Sequence, residues 1–183
     1  MSKTGTVSSC RHVIVMGVSG SGKTTVGQAL ADELGYELIE GDDHHPPENV
    51  EKMRAGTPLT DEDRRPWLET LAQLLGERHA RDQGTVLACS ALRRSYREVL
   101  RAAVPPEESF VIELDADPDT LRVRMANRKG HYMPVSLLES QLATLEHLTD
   151  DEAGVTIDAG RSTETVTADA IAAVRAWSGE PSR

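Results

Sequence analysis

The segment Gly17-Val18-Ser19-Gly20-Ser21-Gly22-Lys23-Thr24 constrains this chain more than any other part of it. It satisfies the pattern GxxxxGK[ST] in the setting that pattern requires, between a strand and a helix. The preceding His12-Val13-Ile14-Val15-Met16 is a short β-branched run of the kind buried in a parallel sheet. After it, Val26, Leu30 and Leu34 share one helix face, and Gly35 is suited to end that helix. The glycines let the backbone curl until successive N–H groups converge on phosphate oxygens, and the helix adds the positive end of its dipole. Lys23 is expected to reach the β- and γ-phosphates of ATP, Thr24 to ligate Mg2+, and Thr25 to touch the α-phosphate.

The remaining pattern alternates strands with helices. Further strands are expected over 36–40, 85–89, 110–114 and 155–158. Helices are expected over 95–102, 118–128, from the 129–134 break through 148, and over 163–177. This alternation predicts a three-layer α/β/α fold of the P-loop NTPase type, with a five-stranded parallel sheet in one domain spanning 1–183. Between the second and third strands, residues of about 43–82 read as a polar helical insertion that covers a substrate. Its Trp67, Leu68, Leu71, Leu74 and Leu75 form an apolar stripe, and Trp67 and Met53 are read as core. The 158–163 loop is placed on the adenine side by fold analogy.

Composition excludes several classes. With 30 acidic against 20 basic residues and a net charge of -10, a nucleic-acid surface is not expected. No apolar run approaches the roughly 20 residues that span a bilayer, and residues 1–11 lack the apolar stretch of a signal peptide. Cys10 and Cys89 make no disulfide framework and no CxxC, and Cys89 reads as a small buried filler. His44 and His45 have no further ligands at zinc-site spacing. A reducing cytoplasm fits this usage.

Two other segments carry chemistry. Glu40-Gly41-Asp42-Asp43 stands where the second strand ends, on the sheet edge that carries the phosphate loop. A kinase needs a carboxylate beside the acceptor hydroxyl, to orient it and take its proton. Asp42 is the candidate catalytic base, with Glu40 and Asp42 helping to hold Mg2+ through water; an acidic turn that caps a helix is the alternative. No strand here ends in an aspartate of the usual second nucleotide motif, so that metal role gains weight. Arg124 and Arg128 share a helix face, and Lys129-Gly130-His131 follow, which suits a cationic lid of about 124–136 closing on ATP.

Four motifs then resemble those of the gluconate kinase (gluconokinase) family, within the wider group that includes shikimate and nucleoside-monophosphate kinases. They are GDDHHP (41–46), NVEKMRAGTPLTDEDRRPWL (49–68), ACSALRRSYREVLR (88–101) and RKGHYMPVSLLESQLATLE (128–146). The likeness runs from about residue 13 to 146. It implies transfer of the ATP γ-phosphoryl to the 6-hydroxyl of D-gluconate, feeding the pentose phosphate or Entner-Doudoroff route, together with Mg2+, a homodimer and a cytoplasmic location. A sugar acid needs cations and hydrogen-bond formers around it. The family-like segments supply His45, Lys52, Arg64, Ser90, Arg93, Arg97 and His131, with Arg64 and Arg93 the first choices for the carboxylate. Another hydroxylated acid as acceptor, and a nucleotide-binding sensor without turnover, are the two alternatives. Lys23, Thr24, Asp42 and Arg128 speak against a sensor.

Overall fold

A computed structural model of the chain describes residues 10–127 and 134–179. Its elements are β1 (His12–Met16), α1 (Lys23–Leu34), β2 (Glu37–Glu40), α2 (Pro47–Arg54), α3 (Asp61–Ala80), β3 (Thr85–Ala88), α4 (Arg94–Arg101), β4 (Ser109–Asp115), α5 (Pro118–Ala126), α6 (Ser136–Thr144), β5 (Gly154–Asp158) and α7 (Thr163–Trp177). The five strands are parallel in the order β2-β3-β1-β4-β5, so the phosphate loop leaves the carboxyl end of the central strand.

β1 is buried throughout, and its side chains alternate between the two sides of the sheet. Val13 and Val15 pack with Val26 and Leu30 of α1 and with Val166, Ala170 and Val174 of α7. Ile14 and Met16 pack with Trp67, Leu68, Leu71 and Leu75 of α3 and with Tyr96 and Leu100 of α4. The second half of the expected insertion is therefore a layer helix of the main core, whereas Met53, Leu59 and Leu137 form a small separate cluster. α3 starts on a capping box: the Thr60 hydroxyl accepts from Asp63 N at 3.1 Å, and the Asp63 carboxylate accepts from Thr60 N at 2.9 Å.

One expected element is shorter than its pattern. The helix expected to run through 148 ends at Thr144, because tertiary partners take over the next amides. Glu146 N donates to Leu92 O at 2.7 Å and Leu148 N to the Glu113 carboxylate at 3.0 Å, while Leu145 and Leu148 pack on the core. Other ends shift by a residue or two; β4 gains Ser109 and Asp115, and α5 stops at Ala126. Cys10 and Cys89 are both buried and free, and burial pushes the Cys89 thiol up to about 12, as suits an inert filler. Among the described residues no helix is long and apolar enough to cross a membrane.

Candidate active site

The phosphate loop closes tightly on itself. Gly17 has φ +149°, and a Cβ there would lie 2.6 Å from Ser21 Oγ and 2.7 Å from Leu114 O. Its N–H donates to Ser90 O at 3.3 Å, tying the loop to the end of β3. Gly22, in the left-handed region at φ +96°, opens α1, and no side chain caps that helix. Its first turn thus faces the phosphate position with backbone amides and a positive dipole end. Lys23 Nζ folds back over the loop to donate to Val18 O at 3.2 Å.

Beside the loop, β2 delivers Glu40 and then the 3-10 turn Gly41–His44. This turn lies so close to β3 that a Cβ on Gly41 would be 2.7 Å from Ala88 O. Trp67 holds it from the other side, its Nε1 donating to Gly41 O at 2.7 Å and its ring stacking on His45 at 4.1 Å between centroids. Asp42, about half exposed, has its carboxylate 3.9 Å from His45 Nε2. Burial lowers the His45 imidazole to about 4, with Asp42 opposing and Arg64 reinforcing the shift, so the ring is neutral at neutral pH. Thr24 Oγ1 donates to Glu40 Oε2 at 2.6 Å. Burial raises the Glu40 carboxyl above its ordinary value, Asp42 adds to this, and the Thr24 bond and Lys23 oppose it. A hydroxyl and two carboxylates on one side of a phosphate loop are hard oxygen donors, the set that suits Mg2+.

Lys23, Asp42, His45, Arg64 and Ser90 line one cavity, closed by Met53, Trp67 and Leu137 and reached by Gln141. Arg64 Nη1 donates to the Tyr96 hydroxyl at 3.2 Å, with its guanidinium 5.6 Å over that ring, and Tyr96 in turn bonds Asp61. Three expected acceptor contacts stand elsewhere. Lys52 is paired with Asp63 at 2.7 Å, outside the cavity lining. Arg93 lies 3.5 Å from Asp61 and is likewise not in the lining. Arg97 is a correction: it is fully buried, and four of its five N–H donors are engaged within the protein. It makes two 2.7 Å bonds to Glu152, one of 3.1 Å to Ala91 O and one of 3.0 Å to Glu146 O. Burial keeps it from a substrate, and Arg97 instead anchors the 89–93 loop, in which Ala91 takes φ +43°. Arg128 and His131 lie outside the described residues.

A second cleft adjoins the other side of the loop. Gly20, Gly22, Thr25 and Val26 line it with Arg124, Ala159, Arg161 and Thr163. Arg124 Nη2 donates to Ala159 O at 2.7 Å, joining α5 to the 158–163 loop.

The AAA domain family matches residues 13–148. A gluconokinase of Gluconobacter oxydans is 54% identical over 142 residues, which are 78% of this chain and 79% of that protein. The chain belongs to the gluconokinase family. The thermosensitive gluconokinase of Escherichia coli is 45% identical over 139 residues, covering 76% of this chain and 73% of that one. A solved gluconokinase from Sinorhizobium meliloti superposes with a TM-score of 0.84 at 42% identity, over 93% of this chain and 95% of that one. A deoxyadenosine kinase from M. mycoides, at 14% identity and TM-score 0.61 over 88% and 97%, shares the fold alone.

Two residues of this gluconokinase-family site escape reading from sequence. Trp67 is core, as expected, but also fixes the turn that carries Asp42. Gln141 Oε1 accepts from Ser19 N at 2.7 Å, linking α6 to the phosphate loop. A signal for Gln141 existed: it is the polar residue on the apolar stripe formed by Leu137, Leu138, Leu142 and Leu145. For Trp67 there was none, since an indole in a helical stripe looks the same with or without a partner for its N–H.

Proposed function

We propose that the chain transfers the γ-phosphoryl of ATP to the 6-hydroxyl of D-gluconate, giving 6-phospho-D-gluconate. The observation that carries this reading is the single cavity shared by Lys23, Asp42, His45, Arg64 and Ser90 beside the phosphate loop. A carboxylate acceptor with several hydroxyls fits that lining. Arg64 offers a planar cation for the carboxylate, and Ser90 offers a hydroxyl. His45 Nδ1 is buried and has no hydrogen-bond partner among the described residues, so a substrate hydroxyl can satisfy it.

In the reaction, the loop amides and Lys23 hold the β- and γ-phosphates, and Asp42 orients the acceptor hydroxyl and takes its proton as the phosphoryl group leaves. Thr24 would hold Mg2+ directly, and Glu40 and Asp42 through water. The chemistry such a cation would supply there is positive charge that offsets the charge developing on the transferred phosphoryl group. Trp67 keeps the Asp42 turn in place, and packing around Leu137 and Met53 keeps water from the reacting atoms. Arg124 and Arg128 belong to the proposed lid of about 124–136, and residues of about 43–82 to the proposed substrate-covering segment. The homodimer and cytoplasmic location expected from the family likeness are part of the same proposal.

The test is ATP turnover with Mg2+ over a panel of D-gluconate, other aldonates, glycerate, shikimate and nucleoside monophosphates. Strong preference for D-gluconate is expected. Preference for a different acid would move the substrate, and silence with every acceptor would overturn the kinase reading for this chain.

A further inference from the structure

At the opposite edge of the sheet, three side chains distant in sequence meet: His12 at the start of β1, His79 near the end of α3, and Glu108 in the 3-10 turn before β4. His12 Nε2 lies 3.2 Å from His79 Nδ1, and His79 Nδ1 lies 3.5 Å from Glu108 Oε2. All three ligand atoms fall within 4.8 Å of one another. For metal–ligand bonds of about 2.0–2.1 Å, the edge of a coordination tetrahedron is about 3.3 Å, close to both of these separations.

Hydrogen bonding leaves this cluster short of protons. His12 Nδ1 lies 2.9 Å from Thr85 Oγ1, its partner across the β1–β3 ladder. With Nδ1–H donating there, Nε2 presents a lone pair to the cluster, the arrangement by which an outer hydrogen bond orients a metal-binding imidazole. A single proton on His79 Nδ1 then faces two acceptors, His12 Nε2 and Glu108 Oε2. It reaches the first, and Glu108 Oε2 is buried with no hydrogen bond among the described residues. Arg11 comes no closer to it than 3.7 Å and is engaged by Asp82. A buried carboxylate oxygen with no hydrogen bond costs free energy, and a bound cation removes that cost.

We propose that His12, His79 and Glu108 form a structural site for a divalent first-row transition ion of the zinc type, with water completing a tetrahedral shell. Two imidazoles and one carboxylate favour such an ion over Mg2+ or Ca2+, which take oxygen ligands. His79, its side chain 31% exposed, gives entry from solvent. An ion there ties β1, α3 and the turn before β4 together, on the side of the sheet away from the phosphate loop.

The experiment uses the untagged full chain, saturated with ATP analogue and Mg2+ so that the phosphate site is occupied, and titrates Co2+ and then Zn2+. One equivalent of Co2+ is expected to give the intense visible bands of a tetrahedral nitrogen-containing site, bleached by Zn2+, and Zn2+ is expected to raise the Tm. His79→Ala and Glu108→Gln, both at partly exposed positions, should each weaken binding at least about tenfold, with turnover under Mg2+ unchanged. Weak octahedral bands, no saturable binding, or variants that bind as wild type does would each overturn the site.

Discussion

Replacing Arg97 by Met separates a structural arginine from a substrate-binding one. The wild-type guanidinium makes four hydrogen bonds in a pocket where its own side chain is 1% and that of Glu152 5% exposed. Methionine keeps the apolar stem but leaves the Glu152 carboxylate and the carbonyls of Ala91 and Glu146 without their partner. Removing one member of a buried ion pair costs about 3–5 kcal/mol. In a chain of this size each kcal/mol lowers the Tm by about 2–4 °C, so a fall of about 6–20 °C is expected. Thermal melts measure it, and acceptor KM, taken well below the melting range, should be unchanged. Arg97→Met with Glu152→Leu should recover part of the loss, since a well-packed apolar pair often replaces a buried ion pair without penalty. A single variant that melted with wild type yet showed a much higher acceptor KM would refute the reasoning and return Arg97 to the substrate site.

Asp42→Asn should lower kcat by about 10²–10⁴-fold, the usual worth of a general base, with ATP affinity by titration nearly unchanged. Arg64→Ala should raise the KM for D-gluconate while leaving the KM for ATP in place, which steady-state kinetics resolve; equal effects on both would count against its carboxylate role. Gly41→Ala drives a Cβ to 2.7 Å from Ala88 O, so the Asp42 turn must shift. A displacement of about 1 Å can cost about 100-fold in kcat, and nucleotide binding should survive it. For Glu152, burial would raise the carboxyl, but the two bonds from Arg97 overturn that and hold it below its ordinary value of 4.5. A depressed folded-state value contributes stability that is present above 4.5 and is lost as pH falls through the folded value. Acid titration of the Tm should therefore show that loss, and Arg97→Met should flatten it.

The phosphate loop was legible because its requirements are local. A strand, three glycines, a lysine and a helix start must be contiguous to cradle phosphate, so the pattern carries its own geometry. The same holds for the order of strands and helices, for the Asp42 turn at the end of β2, and for the buried Cys89. Helix ends were less legible where tertiary bonds compete with helical ones, as at Leu92 and Glu113, which take the amides of Glu146 and Leu148.

The basic residues show where reading from sequence stops. Arg64, Arg93 and Arg97 are equivalent as letters in family-like motifs, since each could bind a carboxylate. Their fates differ through partners 32 to 55 residues away: Tyr96 for Arg64, Asp61 for Arg93, Glu152 for Arg97. Likewise His12, His79 and Glu108 have no spacing that marks a metal site, and only the parallel sheet and the return of α3 bring them within 4.8 Å. Sequence by itself determined the chemistry that contiguous backbone can hold, namely the phosphate cradle after β1 and the carboxylate after β2. Tertiary structure alone decided which charged side chains face the cavity and which are consumed by burial, because a buried charge must be paired and the partner comes from wherever the chain folds back.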